Sequence, residues 1–249
     1  MVIIHVGAEL TPYVVHRDLV CQCSPYFKAL FLGHFRERTT RTTTCPDVED
    51  ADFRRFLGWL YNPRRDDLAS RLAPHIRLWT QRFSCATLLR LYVFADAYDI
   101  PQIRDDIVAH FFDVMAVKLS LPSYGLINAA FARLPANSPL CRLVVDVMVR
   151  YFDESCEGDE DRAEREALHE DFLLSMMMKH AERNTRIRGD ALSVRYRLFI
   201  HHYLEEQIGE TAKGLRSLTS ADERARDKVL LREEEDDLGS AVEQLDIGD

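Results

Sequence analysis

The chain has 249 residues, 47% hydrophobic and 29% charged, the balance expected of a water-soluble globular protein. Its formal net charge is −9, and residues 1–116 hold 14 Lys and Arg against 14 Asp and Glu, so the whole excess falls on residues 117–249. A field of that sign repels phosphate and argues against nucleic-acid binding, and no run of about 18 apolar residues is present to span a bilayer.

Met1 to Gly7 is too short an apolar stretch for a signal peptide and has no basic lead-in. The expected location is therefore the cytoplasm, the nucleus or both, where thiols stay reduced. Cys21, Cys23, Cys45, Cys85, Cys141 and Cys156 then read as small buried hydrophobes, not as a disulfide framework.

Val2 to Val6 and Tyr13 to Val15 are short β-branched runs joined by turn formers, which predicts a β-hairpin. His16 to Cys21 looks helical, with His16 at a strand-to-helix junction. Ser24-Pro25 then places an N-cap serine before a proline at the first helical position, and Gly33 suits the end of that helix. Thr39 to Cys45 is expected as a strand. After Asp47 to Asp50, Phe53, Phe56, Leu57, Leu60 and Tyr61 fall at helical spacing and predict one buried stripe. Asn62 to Arg82 is long for a structureless loop, and Leu68, Leu72 and Ile76 hint at a short helix within it. Cys85 to Tyr98 is apolar nearly all round, the mark of a central helix. Pro101 opens the next, with Ile103, Ile107, Phe111 and Met115 inward. Beyond Val117, helices are expected from Pro122 to Leu134 and from Pro139, the latter carrying Leu140, Leu143, Val144, Val147, Met148 and Tyr151 on one face. Apolar clusters follow at Phe172-Met176 and Tyr196-Phe199-Tyr203. The chain ends in a highly charged stretch containing Glu233 to Asp237, expected to be solvated and flexible.

Four blocks, in order, resemble the BTB/POZ family. Val14-Val15-His16-Arg17-Asp18-Leu19 resembles the family's entry into its first helix. Ser24-Pro25-Tyr26-Phe27 with Phe31 resembles its S-P-Y-F signature, followed by Phe35-Arg36-Glu37. Phe53 to Tyr61, including Phe56 and Leu60, resembles its third helix. Leu91 to Pro101, with Ala95, Asp96 and Tyr98, resembles its L-x-x-x-A-D-x-Y-x-I segment. The style is that of the short BTB-only proteins common in fungi. The resemblance implies an α+β fold, a small sheet flanked by a helical cluster, over about residues 1–116. An all-helical extension over 117–206 and an acidic tail over 207–249 complete the expected layout.

The resemblance also implies a function. Such modules bind other proteins and make or break no bond. A general interaction scaffold is the leading expectation, a substrate adaptor of a cullin-based ubiquitin ligase the alternative, and a transcriptional regulator a further one. Dimeric members exchange an N-terminal strand and use an Asp before the first shared strand; the chain beginning at Met1-Val2 shows neither, so a monomer or weak homodimer is expected. Arg17 matches the basic position of that family's charged pocket. Adaptors usually carry an apolar-x-Glu element after the third helix, but no Glu occurs between Glu49 and Glu154. Tyr61 does match a position that touches the cullin in such adaptors.

Chemical motifs are missing. No glycine spacing gives G-x-G, and Gly209 to Gly214 has the phosphate-loop interval but is followed by Leu215-Arg216. Cys21 and Cys23 would diverge by about 200° on a helix, and His201 and His202 by about 100°, so neither pair chelates. No enzyme, cofactor, metal or membrane partner is therefore expected. The candidate protein-binding residues are Tyr61, Arg64, Arg65 and Trp79, because Arg and Trp are enriched at binding hot spots. Against that, Asp66 and Asp67 can pair with the arginines, and Trp79 can pack inward.

Overall fold

Along β1 (Val2–Val6), Val2, Ile4 and Val6 are buried while the residues between them are not, the period of a strand with one face on a core. In this computed structural model, residues 1–62, 77–153, 164–189 and Tyr203 are described. β1 pairs antiparallel with β2 (Thr11–Val15) through the expected hairpin, Val2 facing Val15 and Val6 facing Thr11. Pro12 is tolerated in β2 because β2 is an edge strand. On its other edge β1 pairs in parallel with β3 (Thr42–Cys45), so the sheet order is β2-β1-β3.

Parallel neighbours need a crossover. Here α1 (Arg17–Cys23), α2 (Pro25–Leu32) and the single turn of α3 (Glu37–Thr40) supply it. The threonine run expected as one strand from Thr39 therefore divides. Thr39 and Thr40 close α3, Arg41 takes a left-handed φ of 55°, and only then does β3 begin.

Ser24 caps α2 as its position predicts, its Oγ accepting from Phe27 N at 3.0 Å. The same hydroxyl donates to the Tyr98 carbonyl at 2.7 Å, so one buried side chain joins two distant segments. Gly33 does end α2, but not through a left-handed conformation, since its φ is −78°. Its reason is space: a Cβ there would lie 2.3 Å from the Ala29 carbonyl oxygen.

α4 (Asp50–Leu60) corrects the expected stripe. It buries Asp52, Phe53, Phe56, Trp59 and Leu60; Leu57 is half-buried and Tyr61, just past the helix end, is 44% exposed. At about 100° per residue the buried face is centred roughly 60° from Phe53, toward Trp59, which leaves Tyr61 some 140° away. The Trp59 indole donates to Asp106 at 2.9 Å, and Asp52 is gripped by Arg55 at 2.7 Å and Arg90 at 2.9 Å.

After the brief α5 (Arg77–Thr80), α6 (Cys85–Ala97) starts at Ser84, which accepts from Thr87 N, and buries Leu88, Leu89, Leu91, Tyr92, Phe94 and Ala95. α7 (Pro101–Phe112) follows and runs on through a π turn, Asp113–Val117. Ile103, Ile107, Phe111 and Met115 are buried, as their spacing requires. α8 (Tyr124–Phe131), α9 (Pro139–Tyr151) and α10 (Glu170–Gly189) complete the described helices. α9 buries Leu140, Leu143, Val144, Val147 and Met148, with Tyr151 half-buried. Its buried Asp146 accepts from Tyr203 Oη at 2.8 Å and pairs with Lys179 of α10 at 3.3 Å. The expected helix around Leu68, Leu72 and Ile76, the pair His201-His202, Tyr196, Phe199 and the charged tail lie outside the described residues. No described helix is long and apolar enough to cross a membrane.

The core is a chain of aromatic contacts. Ring centroids step from Tyr13 to Phe53 (5.0 Å), Phe56 (5.5 Å), Phe94 (5.2 Å), Tyr98 (5.0 Å), Phe27 (5.5 Å) and Phe31 (6.2 Å). It links β2, α4, α6 and α2, and Leu91 of α6 is fully buried. Each fully buried ring contributes roughly 1.5–3 kcal/mol.

Two glycine substitutions should act in opposite directions. Gly33→Ala should destabilise by about 1–3 kcal/mol through its backbone clash. Gly58→Ala, on a helical position where a Cβ meets nothing within 4 Å, should stabilise by about 1 kcal/mol. Urea unfolding of the two variants measures both, and equal signs would contradict the packing described.

Candidate protein-interaction surface

His16 caps the start of α1 without a side-chain cap bond. Its ring turns instead to the end of α4, where its Nδ1 lies 3.0 Å from Tyr61 Oη, and its backbone N–H lies 3.1 Å from the same oxygen. The two rings meet edge to face at 5.7 Å. Both residues are exposed. The phenol is thus held in place while its ring remains open to a partner. Beside it, Arg17 pairs with Asp18 at 3.2 Å.

Ala51, Arg54, Gly58 and Tyr61 follow one another along the outer side of α4, and all are exposed. At the far end Tyr13 donates to the Asp50 carboxylate, and Arg54 closes the group, 3.0 Å from Tyr13 Oη and 2.7 Å from Asp50. Gly58 leaves the middle bare. The result is an exposed strip bounded by two tyrosine-anchored groups.

The other candidates are placed differently. Trp79 is half-buried, edge-on to Phe83 at 5.2 Å, and Arg55 lies over that same Phe83 ring at 5.7 Å. Trp79 therefore contributes to packing and shows only part of its surface. Arg64, Arg65, Asp66 and Asp67 lie outside the described residues.

The family-like signature residues divide between core and rim. Ser24, Phe27, Phe31, Phe56, Leu60 and Ala95 are buried. Pro25 and Tyr26 reach the surface because they form the first turn of α2, Tyr26 standing edge-on to both Phe27 and Tyr98. Asp96 is exposed because it belongs to an ion cluster. Arg104, only 8% exposed, donates to the Ala95 carbonyl at 3.1 Å and to Asp99 at 3.1 Å, with Asp96 at 3.8 Å. The A-D-x-Y pattern thus has a local cause. Alanine leaves room for a guanidinium at its carbonyl, the aspartates neutralise it, and the tyrosine carbonyl accepts the hydrogen bond from Ser24.

Among the described residues five buried charged groups were not singled out from the sequence: Asp52, Arg104, Asp105, Asp113 and Asp146. Asp105 and Asp106 beside Arg104 suggest a solvated run, and Asp52 sits among charged helix-start residues. For Asp52 a partner far along the chain, Arg90, accompanies the burial.

Of the six cysteines expected as buried, Cys21, Cys23, Cys45 and Cys141 are so, Cys85 is half-buried and Cys156 lies outside the described residues. Cys21 and Cys23 are both buried, and their Sγ atoms lie near different carbonyls, Phe27 at 3.6 Å and Val20 at 3.3 Å. Among the described residues no group of three or more His, Cys, Asp or Glu could hold a metal. Burial pushes the Tyr98 hydroxyl far above its ordinary value, and its hydrogen bond to Cys45 adds to the shift. Burial likewise raises the Cys45 thiol, partly offset by that bond, and the Cys141 and Cys21 thiols.

With the fold and these contacts in view, comparison settles the class: residues 2–106 match the family model of the BTB/POZ domain. Those residues are a BTB/POZ domain. Among curated proteins, none matches the chain. The small sheet with its helical cluster is the α+β arrangement of that domain, and the BTB/POZ domain is a protein–protein interaction module whose partners are other proteins.

The buried phenol and thiols set an alkaline limit on stability. Each is neutral when protonated, and each releases its proton less readily when folded. Above their free values, roughly pH 8.5–10, the unfolded chain loses protons that the native state keeps, which favours unfolding. The contribution of these groups should be constant below about pH 8 and be lost as pH rises through that window. Urea midpoints at pH 7.5 and pH 10 check this, and Tyr98→Phe should flatten the upper part of the fall.

Proposed function

We propose that this chain is a non-enzymatic recruitment scaffold whose exposed strip along α4, ending at Tyr61 and His16, docks another protein. The observation that carries the reading is that Tyr61 is fixed by two contacts to His16 yet 44% exposed. An aromatic side chain already held in one place loses little conformational entropy on binding, which is the property of an anchor residue. Arg64, Arg65 and Trp79 belong to the same proposal as flanking contacts. The domain division goes with it: an interaction domain at 1–116, a helical extension at 117–206 that supports it, and a charged tail at 207–249.

A cullin-based ubiquitin ligase adaptor is the second reading. Its support is the exposure of Tyr61 at the position that touches the cullin in such adaptors. Weighing against it, residues 62–82 contain no Glu for the apolar-x-Glu element.

Proteins co-purified with the wild-type chain should include a set lost with Tyr61→Ala, while circular dichroism stays unchanged. Substitution at so exposed a site should alter stability by no more than about 0.5 kcal/mol. A variant that retains every partner would remove Tyr61 from the surface. A cullin inside the lost set selects the adaptor reading, and its absence dismisses it.

A further inference from the structure

Three of the described threonines follow an arginine by three residues: Thr39 after Arg36, Thr44 after Arg41 and Thr80 after Arg77. A protein kinase with carboxylates beside its active centre recognises that spacing, because a guanidinium forms two-pronged, charge-assisted bonds with them. The acceptor must also be exposed and free to be drawn out of regular structure. Spacing alone does not choose among the three; the fold does. Thr80 is only 2% exposed. Thr44 belongs to β3, in register with His5 of β1, so drawing out its backbone would break the sheet. Thr39 is exposed and lies in α3, a single turn that buries no residue.

That turn is a spur between two fixed points. Gly33 closes α2 before it, and after it the Ile3 N–H donates to the Arg41 carbonyl at 2.9 Å. Between them, Thr39 and Thr40 N–H donate to the Arg36 carbonyl at 2.9 and 3.0 Å, and Arg41 N–H donates to Glu37 at 2.8 Å. Opening these bonds uncovers no core side chain, which places the spur at the low-stability end of the structure. Its side chains suit recognition as well. Arg36, Arg38, Thr39 and Thr40 are exposed, and the Thr39 hydroxyl is engaged by no other described residue. Glu37 is the one acid between His34 and Thr44. Its side chain is 17% exposed against 88% for Arg36, so the arginine is the group presented.

We propose that Thr39 is a phosphorylation site, the acceptor for an arginine-directed protein kinase. Thr39 Oγ attacks the γ-phosphorus of ATP. A new O–P bond forms as the bond to the β–γ bridging oxygen breaks, the nucleoside diphosphate leaves with that electron pair, and the hydroxyl proton passes to the kinase's base. Three arginines against one glutamate give residues 36–41 a net charge of +2. A phosphate adds about −1.5 to −2, so the transfer cancels the positive charge of the spur. Arg36, three residues back, and Arg38 beside it are ready partners for the new group. The site is separate from the Tyr61 strip and does not rest on that reading.

The test is to incubate the full chain with magnesium–ATP and a protein kinase that selects Arg three residues before its acceptor. Fragmentation mass spectrometry then maps the phosphate. Thr39 should carry it, and Thr44 and Thr80 should carry none. Mapping also keeps this signal apart from Thr219, which follows Arg216 at the same spacing outside the described residues. Arg36→Gln should slow labelling of Thr39 about tenfold, the loss expected when one charge-assisted bond is removed. Arg36→Lys should recover part of the rate, and both variants should keep the wild-type circular dichroism, so that a slower transfer reports recognition and not unfolding. Absence of phosphate from Thr39 overturns the proposal. So does an Arg36→Gln chain labelled there at the wild-type rate. Label on Thr44 or Thr80 at the level of Thr39 would mean that the fold does not select the acceptor, and ends the proposal too.

Discussion

The contact on which the domain most depends is the bond from Ser24 Oγ to the Tyr98 carbonyl. It joins residues 74 positions apart, and it sits where the aromatic chain turns from α6 to α2, with Phe27 stacked on Tyr98. Without it, a buried hydroxyl and a peptide carbonyl would each lose a partner in an apolar setting, which costs about 1–3 kcal/mol per group. The same hydroxyl starts α2. Local helix formation and long-range closure therefore use one atom, which explains why the serine and the tyrosine occur in separate sequence blocks that have meaning only together.

From that joint the structure divides its charged residues into two kinds. Asp52 and Arg104 lie inside, each with opposite charges or carbonyls around it, and they fix how α4, α6 and α7 meet. Arg54, Asp50, His16 and Tyr61 lie outside and shape a surface. The first kind sets the position of the second. Asp52 and Trp59 roll α4 toward Arg90 and Asp106, and that rotation lifts Tyr61 out of the core and over His16.

Much of this was legible in the sequence. The hairpin, the cap at Ser24, the central helix from Cys85 and the inward face of α7 each follow from a local signal. So does α9, where Leu140 through Met148 repeat at helical spacing. The phase of α4 was not legible. Its apolar residues alone place Tyr61 at the edge of a buried stripe, because nothing near Asp52 in the chain announces that an aspartate will be covered. Its partner Arg90 is 38 residues away. α3 was missed for a related reason. Threonine is a strand former by preference, yet Thr39 and Thr40 close a helical turn because the chain must reverse before joining β1. The candidate surface was legible only by resemblance at Tyr61, and its link to His16 spans 45 residues that no pattern connects.

The parallel pairing of β1 with β3 has a kinetic consequence. β1 leaves the ribosome before β3, yet one of its edges waits for that partner some 40 residues later, after α1, α2 and α3. Until then its unpaired amides and carbonyls are a template for strands of other chains. Non-local pairing of this sort slows folding, so sheet closure is the step at which a nascent chain is open to aggregation. The early hairpin with β2 protects only one side of it.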